Sequence, residues 1–488
     1  MDRDESVLPI RIDTTSNGEF APIPVPPALR AAKEAAGRAI AENARRTGRS
    51  RREFLASLSG AATTLLAFNA AHAALGRAGG AFTLDKDAAL DEAAAAQTLA
   101  GDEFIFDVHL HMVNPAGAWR GNRGKYWEQQ LARFPFGRCG EADPVDCFSA
   151  DHFIEEVFLK SDTAGAVLSF VPETPEGNPL DPEEARRVKA LVDRMGDARE
   201  RLFLHAMVTP NLKPYVDQLD LMTAAARTGT ISAWKIYTQW GTEGTGFALD
   251  SPEIGVPFIE RARETGVKRI CIHKGLPFPD IDPQHASCAD IGRAARAYPD
   301  VDFLVYHSGY VPGRPERAFD PSAAEFGVDS LVKSLLDNDV APNSNVWADL
   351  GATWWILMRD PEQAAHALGK LLKHVGEDRL LWGTDAIWFG SPQDQIQAFR
   401  AFEISEAMQE AHGYPALTPA LKRKVFGLNG AKAYGVDAKS FMKKASADGL
   451  ARRRHAGYVP QTELFENYGP QTLREFRALL AEKRGLPA

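Results

Sequence analysis

A (β/α)₈ barrel is the fold class the sequence predicts, and three observations predict it. Short apolar runs alternate with helical patterns over residues 101–437, the signature of βα units around a parallel sheet. There are eight such runs, the number a closed barrel requires. No Gly-rich phosphate turn follows the first of them, as a doubly wound sheet would commonly show.

The strands are expected, in order, at residues 104–109, 164–170, 202–208, 233–237, 269–273, 303–307, 346–350 and 380–383. Between them helical spacing is expected over 183–195, 215–227, 257–265, 322–336 and 361–375, each closed by a Gly, Pro or polar break. Two additions decorate this α/β barrel. Residues 112–163 are a long insertion after the first strand, on the side where barrel loops carry function. Residues 438–488 are a C-terminal extension with a final helix over 471–483 and the basic run Arg452-Arg453-Arg454-His455. Such a run reads as a solvated face, a packing contact being the alternative.

Residues 1–75 read as a leader. Ser50-Arg51-Arg52-Glu53-Phe54-Leu55 is a twin-arginine signature, followed by a modestly apolar stretch and Ala71-His72-Ala73, an A-x-A-like cleavage site. Export by the twin-arginine machinery to the periplasm is expected, with cleavage near Ala73 and an Ala-rich connector over 76–100. The alternative is an Ala-rich helix that follows two arginines. The stretch is too short and too rich in small residues for stable membrane insertion. Cys139 and Cys147 share one loop and would bridge in an oxidising compartment, two free thiols being the alternative.

Composition bounds the partners. A chain of 488 residues, 44% hydrophobic and 25% charged, suits one large core with extensions. Its net charge of -9 gives no general attraction for nucleic acid or an anionic membrane. A small-molecule substrate is the expected partner.

Chemistry concentrates at the ends of the expected strands. His109 and His111 stand two apart, so on an ideal strand they share a face and aim two imidazoles at one point, a geometry that suits a metal ion. Asp107, two residues earlier, would share that face and fix a ligand tautomer, unless it is an ordinary buried Asp. The fourth strand carries Lys235, the fifth ends in His273, the sixth in His307, and the eighth in Gly383-Thr384-Asp385. In a parallel barrel these ends converge on one mouth. Of the 12 histidines, the remaining eight read as structural.

This set resembles the amidohydrolase superfamily, in its amidohydrolase-related branch of metal-dependent hydrolases, which also holds decarboxylases of aromatic or unsaturated acids. The resemblance spans about residues 102–437, including Val425-Phe426-Gly427-Leu428-Asn429-Gly430-Ala431, similar to the branch's terminal Asn-Ala helix. It implies that His109, His111, His273 and Asp385 surround a catalytic divalent metal, with zinc the first expectation, and that the chain forms a homodimer. Asp385 would also orient and deprotonate the attacking water. His307 has two readings: a group that polarises the substrate carbonyl beside one metal, or a ligand to a second. Lys235 decides between them, bridging two ions if carboxylated and supplying a cation if not. One ion is the leading expectation.

The substrate is less specified. Trp119, Trp127, Trp240, Trp354, Trp355 and Trp388 fall after strands rather than in helices and would line the mouth for a flat ligand, or pack the loops together. Arg120 and Arg123 would bind a substrate carboxylate, or are surface charges. The leading activity is hydrolysis of a C–O or C–N bond in a lactone, ester or amide; decarboxylation is the alternative. A catalytically idle metal-binding protein is argued against by the complete ligand set.

Overall fold

The computed structural model describes every residue except 1–6, 12–14, 17–19, 78, 123–124, 242–243, 278–281, 458–469 and 484–488. Eight parallel strands form one sheet in sequence order. They are β1 (Phe106–Leu110), β2 (Gly165–Leu168), β3 (Leu202–Met207), β4 (Ile231–Tyr237), β5 (Arg269–His273), β6 (Asp302–Tyr306), β7 (Val346–Asp349) and β8 (Leu380–Leu381). First and last meet beyond β8: the Val108 N–H donates to the Trp382 carbonyl at 3.0 Å and the Asp385 N–H to the His109 carbonyl at 2.9 Å. The chain is therefore a (β/α)₈ barrel.

Strand pleating divides the packing in two. Outward residues such as Leu204, Ile236, Ile272, Val305 and Ala348 lie under the helices, while Val108, Phe203, Ala233, Cys271, Leu304 and Leu381 fill the barrel floor. Tyr434 and Phe441, from the helices after the barrel, complete that floor. Two residues further along each strand the inward column turns polar, from Phe203 to His205, Ala233 to Lys235, Cys271 to His273 and Trp347 to Asp349. All four polar side chains are buried.

β1 breaks this period. Its register shifts between Asp107 and Leu110, so that Val108 joins the interior core and yet the adjacent His109 ring lies 4.1 Å from that of Tyr306. A local irregularity of this kind re-aims side chains. Here it turns the His109 imidazole into the barrel.

Expected and observed strands agree within two residues at each end. One helix does not: Val328–Asp337 begins six residues later than its spacing suggested, because Gly327, at φ 79°, ends an irregular segment just before it. The insertion is built from short helices and a Cys139–Cys147 disulfide. The basic run of the extension is not simply solvated: Arg452 pairs with Asp197 at 3.0 Å and Arg454 with Asp162 at 2.5 Å, tying the extension to the barrel.

Helices Pro27–Arg46, Arg51–Leu55 and Leu58–Ala74 pack before the barrel. Ser50 and Glu53 form a capping box, so the twin-arginine stretch is also a helix start. Leu65, Phe68 and His72 are buried, and His72 Nε2 lies 3.2 Å from the Arg359 carbonyl. Among the described residues no helix is long and apolar enough to cross a membrane.

Candidate metal centre

The strand ends bring three donor atoms together. His109 Nε2 lies 3.1 Å from His111 Nε2, and Asp385 Oδ1 lies 3.4 Å from the first and 3.2 Å from the second. Ligands about 2.0–2.1 Å from a tetrahedral ion stand roughly 3.4 Å apart, so this spacing fits three ligands of one divalent ion.

Hydrogen bonding assigns the protons. His109 Nδ1 lies 2.8 Å from Asp349 Oδ2, which places the ring proton there and leaves Nε2 as a lone pair. Asp349 also accepts from the backbone N–H groups of Gly351 and His307. His307 Nδ1 donates to the Gly351 carbonyl at 2.7 Å, so its Nε2 is an acceptor. That Nε2 faces His273 Nδ1 at 3.2 Å, and His273 Nε2 donates to the Leu276 carbonyl at 3.4 Å. Two lone pairs facing at this distance repel, and a cation or a shared proton is what such a pair takes up. His273 thus stands with His307 rather than inside the His109–His111–Asp385 triad.

Burial, with the nearby Lys235 charge among the further causes, holds the four imidazoles well below their ordinary values. They remain neutral and ready to bind metal. Burial also pushes the Asp349 and Asp385 carboxyls up to about 7. Asp385 Oδ2 is buried with no hydrogen-bond partner among the described residues. Lys235 is buried, its Nζ 3.8 Å from the centre of the Tyr306 ring and 4.8 Å from that of Tyr237.

The backbone is strained at the same end. His307, Ser308 and Asp385 have φ of 62°, 53° and 61°, values that cost non-glycine residues of order 1 kcal/mol each. At Gly383 a Cβ would fall 1.8 Å from Asp349 Oδ1, so only glycine lets β8 pass this close.

Asp107 does not fix a ligand ring. It accepts from the Thr384 hydroxyl and from the His109 backbone N–H, tying β1 to the segment after β8. The β1 irregularity removes it from the imidazole face. The carboxylate that does hold His109 is Asp349, which sequence reasoning missed. Its signal was available: an acid two places after the inward Trp347, with Gly351 two places beyond.

Trp388 lies against His111, ring centroids 5.1 Å apart and planes within 18°. Phe134 and Phe148 of the insertion cover it at 4.9 and 5.5 Å. Trp119 and Trp127 are buried in the short helices Trp119–Asn122 and Lys125–Leu131, not as expected, and the Trp119 indole donates to the Asn114 carbonyl at 2.7 Å. Trp240 is half-buried after β4. Trp354 and Trp355 sit in the short helix Thr353–Leu357, contrary to expectation, and are buried there; Trp355 stacks on Phe389 at 4.1 Å. Arg120, read as a group for a substrate carboxylate or as a surface charge, pairs with Glu128 at 2.9 Å and Asp143 at 2.7 Å, about one-third exposed. Arg123 lies outside the described residues.

Comparison with known proteins adds a family. Residues 106–436 match the family model described as amidohydrolase. A stretch of 122 residues, 25% of this chain, is 30% identical to Protein fluG of Emericella nidulans and spans 12% of that protein. Among solved structures, 2,6-dihydroxybenzoate decarboxylase from Rhizobium superposes with a TM-score of 0.41 at 14% identity, over 68% of this chain and 99% of that one. The 5-carboxyvanillate decarboxylase of Novosphingobium aromaticivorans, with bound manganese, gives 0.39 at 14% identity, over 68% and 97%.

Proposed function

From the premise that this chain belongs to the amidohydrolase family, we propose that it is a metal-dependent hydrolase cleaving a C–O or C–N bond of a small aromatic lactone, ester or amide. The observation that carries this reading is Asp385. One of its oxygens completes a three-donor cluster with His109 and His111, the other is buried with no hydrogen-bond partner among the described residues, and burial pushes its carboxyl up to about 7 in the metal-free protein.

When bound there, a divalent ion supplies Lewis acidity that polarises a carbonyl and acidifies water. Zinc fits the donors, as do manganese, iron and cobalt. Asp385, with its second oxygen left over from the cluster, takes a proton from the attacking water and returns it to the leaving oxygen or nitrogen. His307 keeps its proton on Nδ1, donated to the Gly351 carbonyl, and so offers a lone pair at Nε2, which suits a ligand better than a hydrogen-bond donor to substrate. This favours a second ion held by His273 and His307, with Lys235 at hand to bridge if carboxylated. Trp388, buried between His111 and the Phe134 and Phe148 rings, packs the insertion against the donors.

Metal analysis of the purified protein, followed by assay of aryl lactones, esters, amides and aromatic acids, tests the reading. Two ions per chain, acid formation and loss of turnover in Asp385→Asn are expected. Carbon dioxide release in place of acid formation would assign decarboxylation instead, and one ion per chain would remove the second site.

A further inference from the structure

We propose that residues 8–74 are retained in the working enzyme, and that Arg11 within them is a positioning residue for the loop that carries Asp385 and Trp388.

Arg11 is 3% exposed and Asp394 fully buried. The Arg11 backbone N–H and Nε donate to Asp394 Oδ2 at 3.2 and 2.8 Å. Nη2 donates to Asp394 Oδ1 and to the Ser391 carbonyl, each at 2.7 Å, and Nη1 donates to the Phe389 carbonyl. A planar guanidinium is suited to such fork geometry. These acceptors lie on the segment 389–394, which continues directly from Asp385 and Trp388. Arg11 therefore fixes the outgoing end of the loop whose incoming end bears the proposed ligand and whose middle lies against His111.

Other described residues of the segment are built in as well. Leu8, Ile10 and Phe20 are buried, and the Ser16 N–H donates to the Pro470 carbonyl of the extension at 2.9 Å. The Ser50–Glu53 capping box gives the twin-arginine stretch a structural use, and Leu58–Ala74 buries Leu65 and Phe68. Cleavage near Ala73 would detach Arg11 and leave Asp394 with the Gln395 N–H but no charged partner, and would take a donor from two loop carbonyls. An uncompensated buried carboxylate is strongly unfavourable.

Retention stands on this packing alone, whereas the positioning role rests on the proposed part played by Asp385. Intact mass and N-terminal peptide mapping of active protein from the producing cells test the first. A chain containing Arg11 is expected, and active protein beginning after Ala73 would overturn it. Full-length Arg11→Met, Asp394→Asn, their double variant and Arg11→Lys, each loaded with Co²⁺, test the second. Arg11→Met should weaken Co²⁺ binding about tenfold and shift its visible absorption spectrum. The double variant should be no worse than the worse single, and Arg11→Lys should recover part of the loss. Lowered thermal stability with unchanged Co²⁺ affinity and spectrum would overturn positioning. If the unaltered chain bound no Co²⁺, the reading of Asp385 would fail instead; Arg11 would then be judged by Trp388 emission, isolated by difference with Trp388→Phe, and unchanged emission would overturn it.

Discussion

Asp349 reaches from the end of β7 to His109 on β1, its Oδ2 2.8 Å from the ring Nδ1. This contact keeps the lone pair on the nitrogen that faces His111 and Asp385. In Asp349→Asn the amide nitrogen can donate to Nδ1 and drive the ring proton onto Nε2, the wrong tautomer for a ligand. The expected cost is about 10- to 100-fold in metal affinity, read by competition with a chromogenic chelator. Unchanged affinity would show that Asp349 only supports the loop through its bonds to Gly351 and His307.

Metal affinity should depend on pH through Asp385. Its carboxyl is raised by burial to about 7, so the metal-free protein carries a proton there below neutrality, while burial keeps the imidazoles unprotonated. The ion binds the anionic form, which populates as pH rises through 7. Affinity should therefore fall about tenfold per unit below 7 and level off above it. Zinc titrations of the wild-type chain and Asp385→Asn between pH 5.5 and 8.5 check this. A slope that persists in the variant would place the titrating proton elsewhere.

The barrel was legible because each strand is a short apolar run closed by polar or glycine residues, and period-2 pleating is a local property. His273 and Asp385 were legible for the same reason, lying at strand ends that must converge. Which of its two readings Asp107 follows, ligand-fixing acid or ordinary buried Asp, was not legible, because the β1 irregularity that decides for the second is a tertiary effect with no mark in Phe106-Asp107-Val108-His109. The pairing of His273 with His307 was equally hidden, since it depends on which carbonyl each ring's other nitrogen meets. Arg120 offered a charge beside a tryptophan, but its partners Glu128 and Asp143 lie 8 and 23 residues away, on the helix Lys125–Leu131 and at the cap of the short helix Pro144–Phe148.

That pairing makes Arg120 a test of the substrate site. Its two ion pairs are about one-third exposed, where such contacts are worth roughly 0–1 kcal/mol each. Arg120→Ala should lower stability slightly and leave KM for a carboxylate-bearing substrate within about twofold, since the guanidinium is already engaged. A tenfold rise in KM, with kcat held, would return Arg120 to the binding site.

Gly383 is where close approach is least forgiving. A Cβ there would lie 1.8 Å from Asp349 Oδ1 and 2.9 Å from His109 Cβ, two groups that cannot retreat without breaking their own hydrogen bond. Gly383→Ala should therefore cost at least the 1–3 kcal/mol typical of overpacking, and it should weaken metal binding at the same time because the strain is relieved by moving His109. Gly457→Ala is the matched control: no heavy atom of the described residues lies within 4 Å of its added Cβ, and its place at the end of a helix makes alanine neutral or mildly stabilising. Chemical denaturation with and without zinc separates the two effects. A Gly383→Ala protein that loses stability but keeps full zinc affinity would mean that Asp349 yields and His109 stays in place.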